Sequence, residues 1–230
     1  MKKIHPILHL FAIAAAVTFV SCEKTPRGDN VIITDELLPQ AGTGASFLVD
    51  TANSWIRFSG AGIGKAGPGT LPLRYGKVTA SKDEVSGGKF ILDITSLESR
   101  WQGAIRDEKS QPHLATGDRL DPVAFGTSQF EITGVEPYKA KDENKSLVKG
   151  ENFMISGNLQ IRNVTKNVTF PARVDLDGNT LKAKANFDID RRQWELNYGK
   201  DKTLDEKSAP ETLRIELSVV ARPEDPNGSL

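Results

Sequence analysis

Residues 153–176 read FMISGNLQIRNVTKNVTFPARVDL, and their spacing decides the fold. Phe153, Ile155, Gly157, Leu159 and Ile161 occupy alternate positions, with Ser156, Asn158 and Gln160 between them and Met154 as the one apolar exception. Side chains of a strand point to opposite faces in turn, so this alternation describes a strand with one buried and one wet face. After the polar break Arg162-Asn163 the pattern resumes. Val164, Val168, Phe170, Ala172, Val174 and Leu176 fall on one side, and Thr165, Asn167, Thr169, Arg173 and Asp175 on the other. Two strands sharing an apolar face across a short break make a β-hairpin. Pro171 predicts an edge, a bulge or a bend near the end of the second strand, because proline has no amide hydrogen for a ladder.

The same period recurs on both sides of this hairpin. Asp177-Gly178-Asn179 is a turn signal, after which Leu181, Ala183, Ala185, Phe187 and Ile189 alternate with polar residues. Leu213, Ile215, Leu217, Val219 and Ala221 make a last alternating strand. Upstream, residues 46–50 and 55–59 read as strands around a polar turn or bend, residues 71–81 and 85–95 as a pair, and residues 125–135 as a further strand. Phe90, Leu92 and Ile94 share one face of the second member of that pair. The period then changes: Leu97, Trp101, Ala104 and Ile105 are three and four apart, the spacing of a short amphipathic helix, and Pro112 ends it. About eight alternating strands, one helix and short turns predict an all-β fold, either an up-and-down antiparallel barrel or a sandwich.

The N-terminus has a different character. Met1-Lys2-Lys3 is a basic head, residues 7–20 are almost wholly apolar, and Ser21-Cys22 closes the stretch. This pattern describes a secretory signal, the alternative being a buried or membrane-anchoring helix. The ending Phe19-Val20-Ser21-Cys22 resembles a bacterial lipobox, with Phe19 where leucine is usual. On that resemblance residues 1–21 are a signal peptide and Cys22 becomes a lipidated first residue. A plain signal followed by a free thiol is the other reading. Several acyl chains on one residue give a stable membrane anchor. Residues 22–45 then form the lipidated N-terminus and a flexible tether, in which residues 31–33 offer at most a short edge strand. The folded domain runs over residues 46–222, and residues 223–230 are a loose tail.

Composition bounds the chemistry. The 230 residues carry 30 basic and 30 acidic side chains, so nothing in the overall charge points to nucleic acid. Cys22 is the single cysteine, which excludes an intramolecular disulfide. Of the three histidines, His5 and His9 lie in the leader, leaving His113, a poor basis for a zinc or iron site. His113 near Asp107, Glu108, Asp118 and Asp121 is the only arrangement resembling a catalytic dyad, and a local hydrogen-bonding role at the end of the helix is the simpler reading. The glycines at 60, 62, 64, 67 and 69 lack the Lys-Ser/Thr and helix of a phosphate cradle and read as a loop at a barrel mouth. Asp190-Arg191-Arg192 fits a phosphate site or a fixed ion pair closing the barrel end, and Asp93 fits a structural hydrogen bond or salt bridge.

Five segments carry a family resemblance. GNLQIRNVTKNVTF (157–170) resembles the G-x-L-x-I-x-x-V-T-x-x-V-x-F hairpin of the YceI-like family of periplasmic polyisoprenoid-binding barrels. GGKFILDITSL (87–97), the VD…NSWIRF opening (49–58), HLATGDRLDPVAF (113–125) and FDIDRRQWELNYG (187–199) are similar to the family's other motifs, in the same order. The segment that starts at His113 extends to Phe130 and departs from the family where Arg119-Leu120 replaces two phenylalanines and Gly126 replaces a proline. The resemblance implies an eight-stranded antiparallel, lipocalin-like barrel with the helix near its opening. It implies non-catalytic binding or carriage of an isoprenoid lipid, of quinone or polyprenyl phosphate type, or of a similar amphiphile. No cofactor is implied beyond such a bound lipid. The expected ligand contacts are Phe90, Ile94, Leu97, Trp101, Ile105, His113, Leu114, Leu120, Phe125 and Trp194. The expected location is the bacterial cell envelope, anchored through Cys22 and facing the periplasm or cell surface. The alternative is an envelope stress or interaction protein whose barrel is filled by its own side chains.

Overall fold

The computed structural model describes residues 29–60, 69–81, 84–96, 124–140, 146–196 and 211–225. Among these residues the strands are β1 Asp29–Asn30, β2 Ile32–Asp35, β3 Ala45–Val49, β4 Trp55–Gly60, β5 Gly69–Leu71, β6 Leu73–Ser81, β7 Glu84–Asp93, β8 Thr127–Pro137, β9 Phe153–Ile161, β10 Val164–Asp177, β11 Thr180–Asp190 and β12 Thr212–Pro223. A 3₁₀ turn, Arg191–Trp194, follows β11.

The hairpin at residues 153–176 forms in the register its pattern dictates. Val164 pairs with Ile161 and Ala172 with Phe153, so Ile155 meets Phe170 and Leu159 meets Lys166. Arg162 enters the two-residue turn at φ 57°, and Gly178 does the same at the next turn. Neighbouring strands continue antiparallel from β6 through β12. β3 and β4 both pair with β12, one beyond the other, so they are two halves of a single stave. Between them Asp50 accepts from the backbone and side-chain nitrogens of Asn53, and Ser54 Oγ is bonded to the Val220 backbone. The polar stretch expected to turn or bend therefore bulges one stave and does not reverse it. β5 and β6 are likewise one stave interrupted at Pro72, paired with β4 and β3 respectively. The result is a closed eight-stranded antiparallel barrel.

One end of this barrel, here the turn end, carries the 178–179 turn and the Ser81–Glu84 pair that ends the β6–β7 ladder. The opposite end carries the 162–163 turn and the 3₁₀ turn. Apolar residues face inward: Val168, Phe170, Ala172, Leu181, Ala185, Phe187, Ile189 and Ala221 are all buried. Charged residues such as Arg173, Asp175, Lys182 and Glu216 face out. The helix expected from Leu97 onward lies outside the described residues.

From Asp29 to Asp35 the N-terminal segment follows the short edge strand offered at residues 31–33 and not the solvated tether preferred there. β1 pairs in parallel with β11, Asp29 opposite Phe187, and β2 pairs antiparallel with β10, Ile33 opposite Val168. Val31 and Ile33 pack against the core while Ile32 is exposed. Two inward apolar side chains suffice to make this segment part of the wall. Beyond β2, Leu37 lies over β9. Its amide donates to Asn158 Oδ1 (3.1 Å) and its carbonyl accepts from Asn158 Nδ2 (2.6 Å). Asn158 and Asn167 are thereby buried outside the barrel, joined to each other and to Thr133.

A carboxyl pair ties the segment down at its start. Ser146 Oγ lies 3.1 Å from Asp29 Oδ2 and donates to Glu151 Oε1 (2.8 Å). Burial, together with the Asp29 carboxylate, pushes Glu151 up to about 7 against the pull of the Ser146 hydroxyl. The folded protein thus retains a proton that the unfolded chain releases near 4.5. Stability should fall as pH rises from about 4.5 to about 7, by on the order of 2 kcal/mol, and level off above that. Asp190, which Arg192 holds below the ordinary range, acts at lower pH, outside this window. Glu151→Gln should flatten the profile, because an amide offers Asp29 a donor without a charge. Urea denaturation at pH 5 and pH 8 checks this, and equal pH dependence in both proteins would rule it out.

Candidate ligand cavity

The inward faces do not close completely on one another. A cavity of about 160 Å³ runs along the interior, from Val85 and Leu181 near the turn end to Ile94 and Leu213 near the other. Phe90, Phe130, Phe170 and Phe187 form an arc across its wall, with ring centroids 6.2, 5.8 and 4.1 Å apart. Phe170 and Phe187 are stacked, 16° between planes. Gly157, on the strand between Phe130 and Phe170, makes the arc possible: a Cβ there would sit 2.2 Å from the Phe130 ring. Among the described residues of the lining Ser128 is the single polar one, and its hydroxyl is already donated to the Gln160 carbonyl. The volume matches that of an engineered apolar cavity of about 150 Å³ that stays dry and takes up benzene. A lining of this kind suits hydrocarbon, and among the described residues it offers nothing to a charged group.

Of the residues expected to touch a ligand, Phe90 and Ile94 line this cavity. Phe125 does not; its ring lies under the Arg162 guanidinium, 5.3 Å away. Trp194 does not either. It is fully buried in the core cluster, and its indole N–H donates to the Leu159 carbonyl (2.9 Å), which fixes the 3₁₀ turn onto β9. Leu97, Trp101, Ile105, His113, Leu114, Leu120 and Cys22 lie outside the described residues. Lining residues not singled out include Val168, Leu181, Ile215, Leu217 and Val219. Each stands on an alternating run already visible in the sequence, so the signal was the period itself.

Asp190, Arg191, Arg192 and Asp93, singled out in the sequence, are committed to structure. Arg192 forks onto Asp190, Nε to Oδ1 at 2.9 Å and Nη2 to Oδ2 at 2.6 Å, and also reaches Glu211. Arg191 is buried and donates to the Leu196 carbonyl. Burial pushes Asp93 up, but hydrogen bonds from Thr95 and Arg74 outweigh it and hold the carboxyl below its ordinary range. Among the described residues no group of three or more His, Cys, Asp or Glu side chains is placed to hold a metal ion, and no helix is long and apolar enough to cross a membrane.

The described residues thus define a closed antiparallel barrel around an apolar cavity. The chain belongs to the YceI-like domain family, whose model matches residues 47–221. Its fold is similar to the crystal structure of BcnA from Burkholderia cenocepacia, with a TM-score of 0.53 at 18% identity, over 75% of this chain and 98% of that one. Weaker likenesses are to a polyisoprenoid binding domain from Saccharophagus degradans implicated in plant cell wall breakdown (TM-score 0.48, 12% identity, 79% of this chain and 100% of that one) and to the Campylobacter jejuni YCEI protein (TM-score 0.41, 16% identity, 67% and 84%). No curated protein matches the chain in sequence.

Proposed function

We propose that this protein is a non-catalytic carrier that holds the hydrocarbon part of an isoprenoid lipid, of quinone or polyprenyl phosphate type, in its barrel. The observation that carries the reading is the lining: of the described side chains around the cavity only Ser128 is polar, and its hydroxyl is engaged. Affinity then comes from burying hydrocarbon, roughly 0.8 kcal/mol per CH₂. The head group stays outside the lined volume, since none of the described lining residues carries a charge to compensate it. Membership of the YceI-like family supports this ligand class. The apolar leader ending in Cys22 supports an acylated protein of the bacterial envelope, held at a membrane from the periplasmic or outer side.

Native mass spectrometry of the protein purified without detergent, followed by organic extraction, tests the reading. One isoprenoid per chain is expected. Val219→Phe, which pushes a ring into the cavity from β12, should lower geranylgeraniol affinity at least tenfold while leaving the unfolding midpoint nearly in place. A parent protein that carries no lipid and takes up no geranylgeraniol would sink the proposal in favour of a filled barrel that acts through partners. Acylation is read separately, from the intact mass of the membrane fraction and its loss in Cys22→Ser.

A further inference from the structure

The barrel wall has a built-in fork. β10 and β11 leave their turn paired from Asp177 opposite Thr180 up to Arg173 opposite Lys184, and there the ladder stops. The alternation set by that turn aims the amides of residues 177, 175 and 173 at β11. Pro171 is next in this series and has no hydrogen to donate. In the same count its opposite number is Asn186, whose buried side-chain oxygen has no hydrogen-bond partner among the described residues. One step further, Phe170 and Phe187 face each other, stacked at 4.1 Å but with no ladder between their backbones. Both line the cavity.

The chain's own N-terminal segment fills the fork. β1 holds β11 through Asp29 and Asn30, and β2 holds β10 through residues 32–35. By contrast, β11 and β12 pair continuously from Leu181 to Asp190. The stave is fixed by small local clasps: Ser146 and Glu151 at Asp29, Lys166 at Asp35 (2.9 Å), and Asn158 at Leu37. It also precedes the family domain, which begins at Phe47.

We infer that this stave is a lateral gate, and that an apolar chain enters the cavity sideways between β10 and β11 when residues 29–35 lift away. This rests on the lipid-binding reading. Displacing the stave uncovers the inward face beside Val168 and the stacked Phe170–Phe187 pair, with no rearrangement of any other strand pairing. With Cys22 acylated, the seven residues from the anchor to Asp29 extend at most about 25 Å, which keeps the fork within that distance of the bilayer.

The test locks the gate. Ile32 and Thr169 are opposite each other in the β2–β10 register. Directly opposed antiparallel residues have the Cα separation a disulfide needs. In the full chain carrying Cys22→Ser, the pair Ile32→Cys and Thr169→Cys supplies the only two thiols. Retinol uptake, followed by stopped-flow fluorescence, should be at least tenfold slower in the oxidised than in the reduced form, with the same final occupancy. Equal rates in the two forms overturn the gate and leave lipid binding standing. No uptake by the Cys22→Ser parent overturns the binding reading, and the gate with it. Hydrogen exchange on the unmodified chain gives a second readout should the pair fail to fold. The amides of residues 32–35 should exchange at least tenfold faster than those of β9, and equal protection overturns the gate.

Discussion

Replacing Trp194 by alanine should remove about 4 kcal/mol of stability, because it is the largest fully buried side chain among the described residues. The ring has no solvent exposure, and it belongs to the main core cluster with Ile189 and Leu196. Its indole N–H also donates to Leu159, so the side chain ties the end of β11 to β9 across the barrel. Neighbouring features hold the 3₁₀ turn in place but cannot refill the space. Asp190 caps the turn by accepting from the Arg192 amide, and Glu195 ends it at φ 57°. Trp194→Phe separates the two contributions. It keeps most of the apolar volume and loses the hydrogen bond, for which a cost of roughly 1–2 kcal/mol is expected. Urea unfolding of both variants decides the matter. An alanine variant within 1.5 kcal/mol of the parent would show that the turn is an appendage and not a plug. Because Trp194 is not a cavity residue, binding per folded molecule should survive in the phenylalanine variant.

Trp194 also shows what a sequence can and cannot reveal about a barrel. Period two is a local property, so it exposes strands, faces and turns: the β9–β10 hairpin, the turn at Gly178 and the long run of β12 are all legible residue by residue. Whether an inward residue meets ligand or packing depends on the residues across the barrel, which no local pattern contains. Phe90 and Trp194 are both large, aromatic and inward, yet one lines the cavity and the other fills the core. Phe125 looks equally apolar and lies against Arg162 instead. The N-terminal stave was legible only as a short edge strand at residues 31–33, second to a solvated tether, for another reason. Its apolar face consists of Val31 and Ile33 alone, set between Asp29-Asn30 and Thr34-Asp35. A stretch that short carries no period of its own and becomes a strand only because a fork is waiting for it. The cause of the fork was visible: Pro171 announced a defect in the ladder, though not which neighbour would occupy it.

Gly157→Ala should cost about 3 kcal/mol, although it adds a single methyl group to a strand. In an ordinary strand alanine is no worse than glycine, because glycine gives up more backbone freedom on folding and packs nothing. Here the sign reverses. The added Cβ would lie 2.2 Å from Phe130 Cζ and 2.9 Å from the Glu131 carbonyl, separations no real contact tolerates. The phenyl ring cannot retreat easily, being in contact with Phe90 at 6.2 Å on one side and Phe170 at 5.8 Å on the other. The Glu131 carbonyl is held in the β8–β9 ladder. Overpacking of this kind costs about 1–3 kcal/mol, and a rigid backbone neighbour places it at the upper end. A second substitution isolates the cause. Phe130→Leu shortens the offending ring, so Gly157→Ala should be at least 1.5 kcal/mol less damaging in the Phe130→Leu background than in the parent. If the penalty is the same in both backgrounds, the clash lies with the backbone and not with the aromatic arc. A penalty below 1 kcal/mol in the parent would mean that the arc yields readily. The arc's rigidity matters beyond stability, because the same rings line the cavity: a ring displaced by the new methyl group changes the space available to hydrocarbon. In the parent background the variant should therefore lose geranylgeraniol affinity as well as stability, and Phe130→Leu should restore part of both.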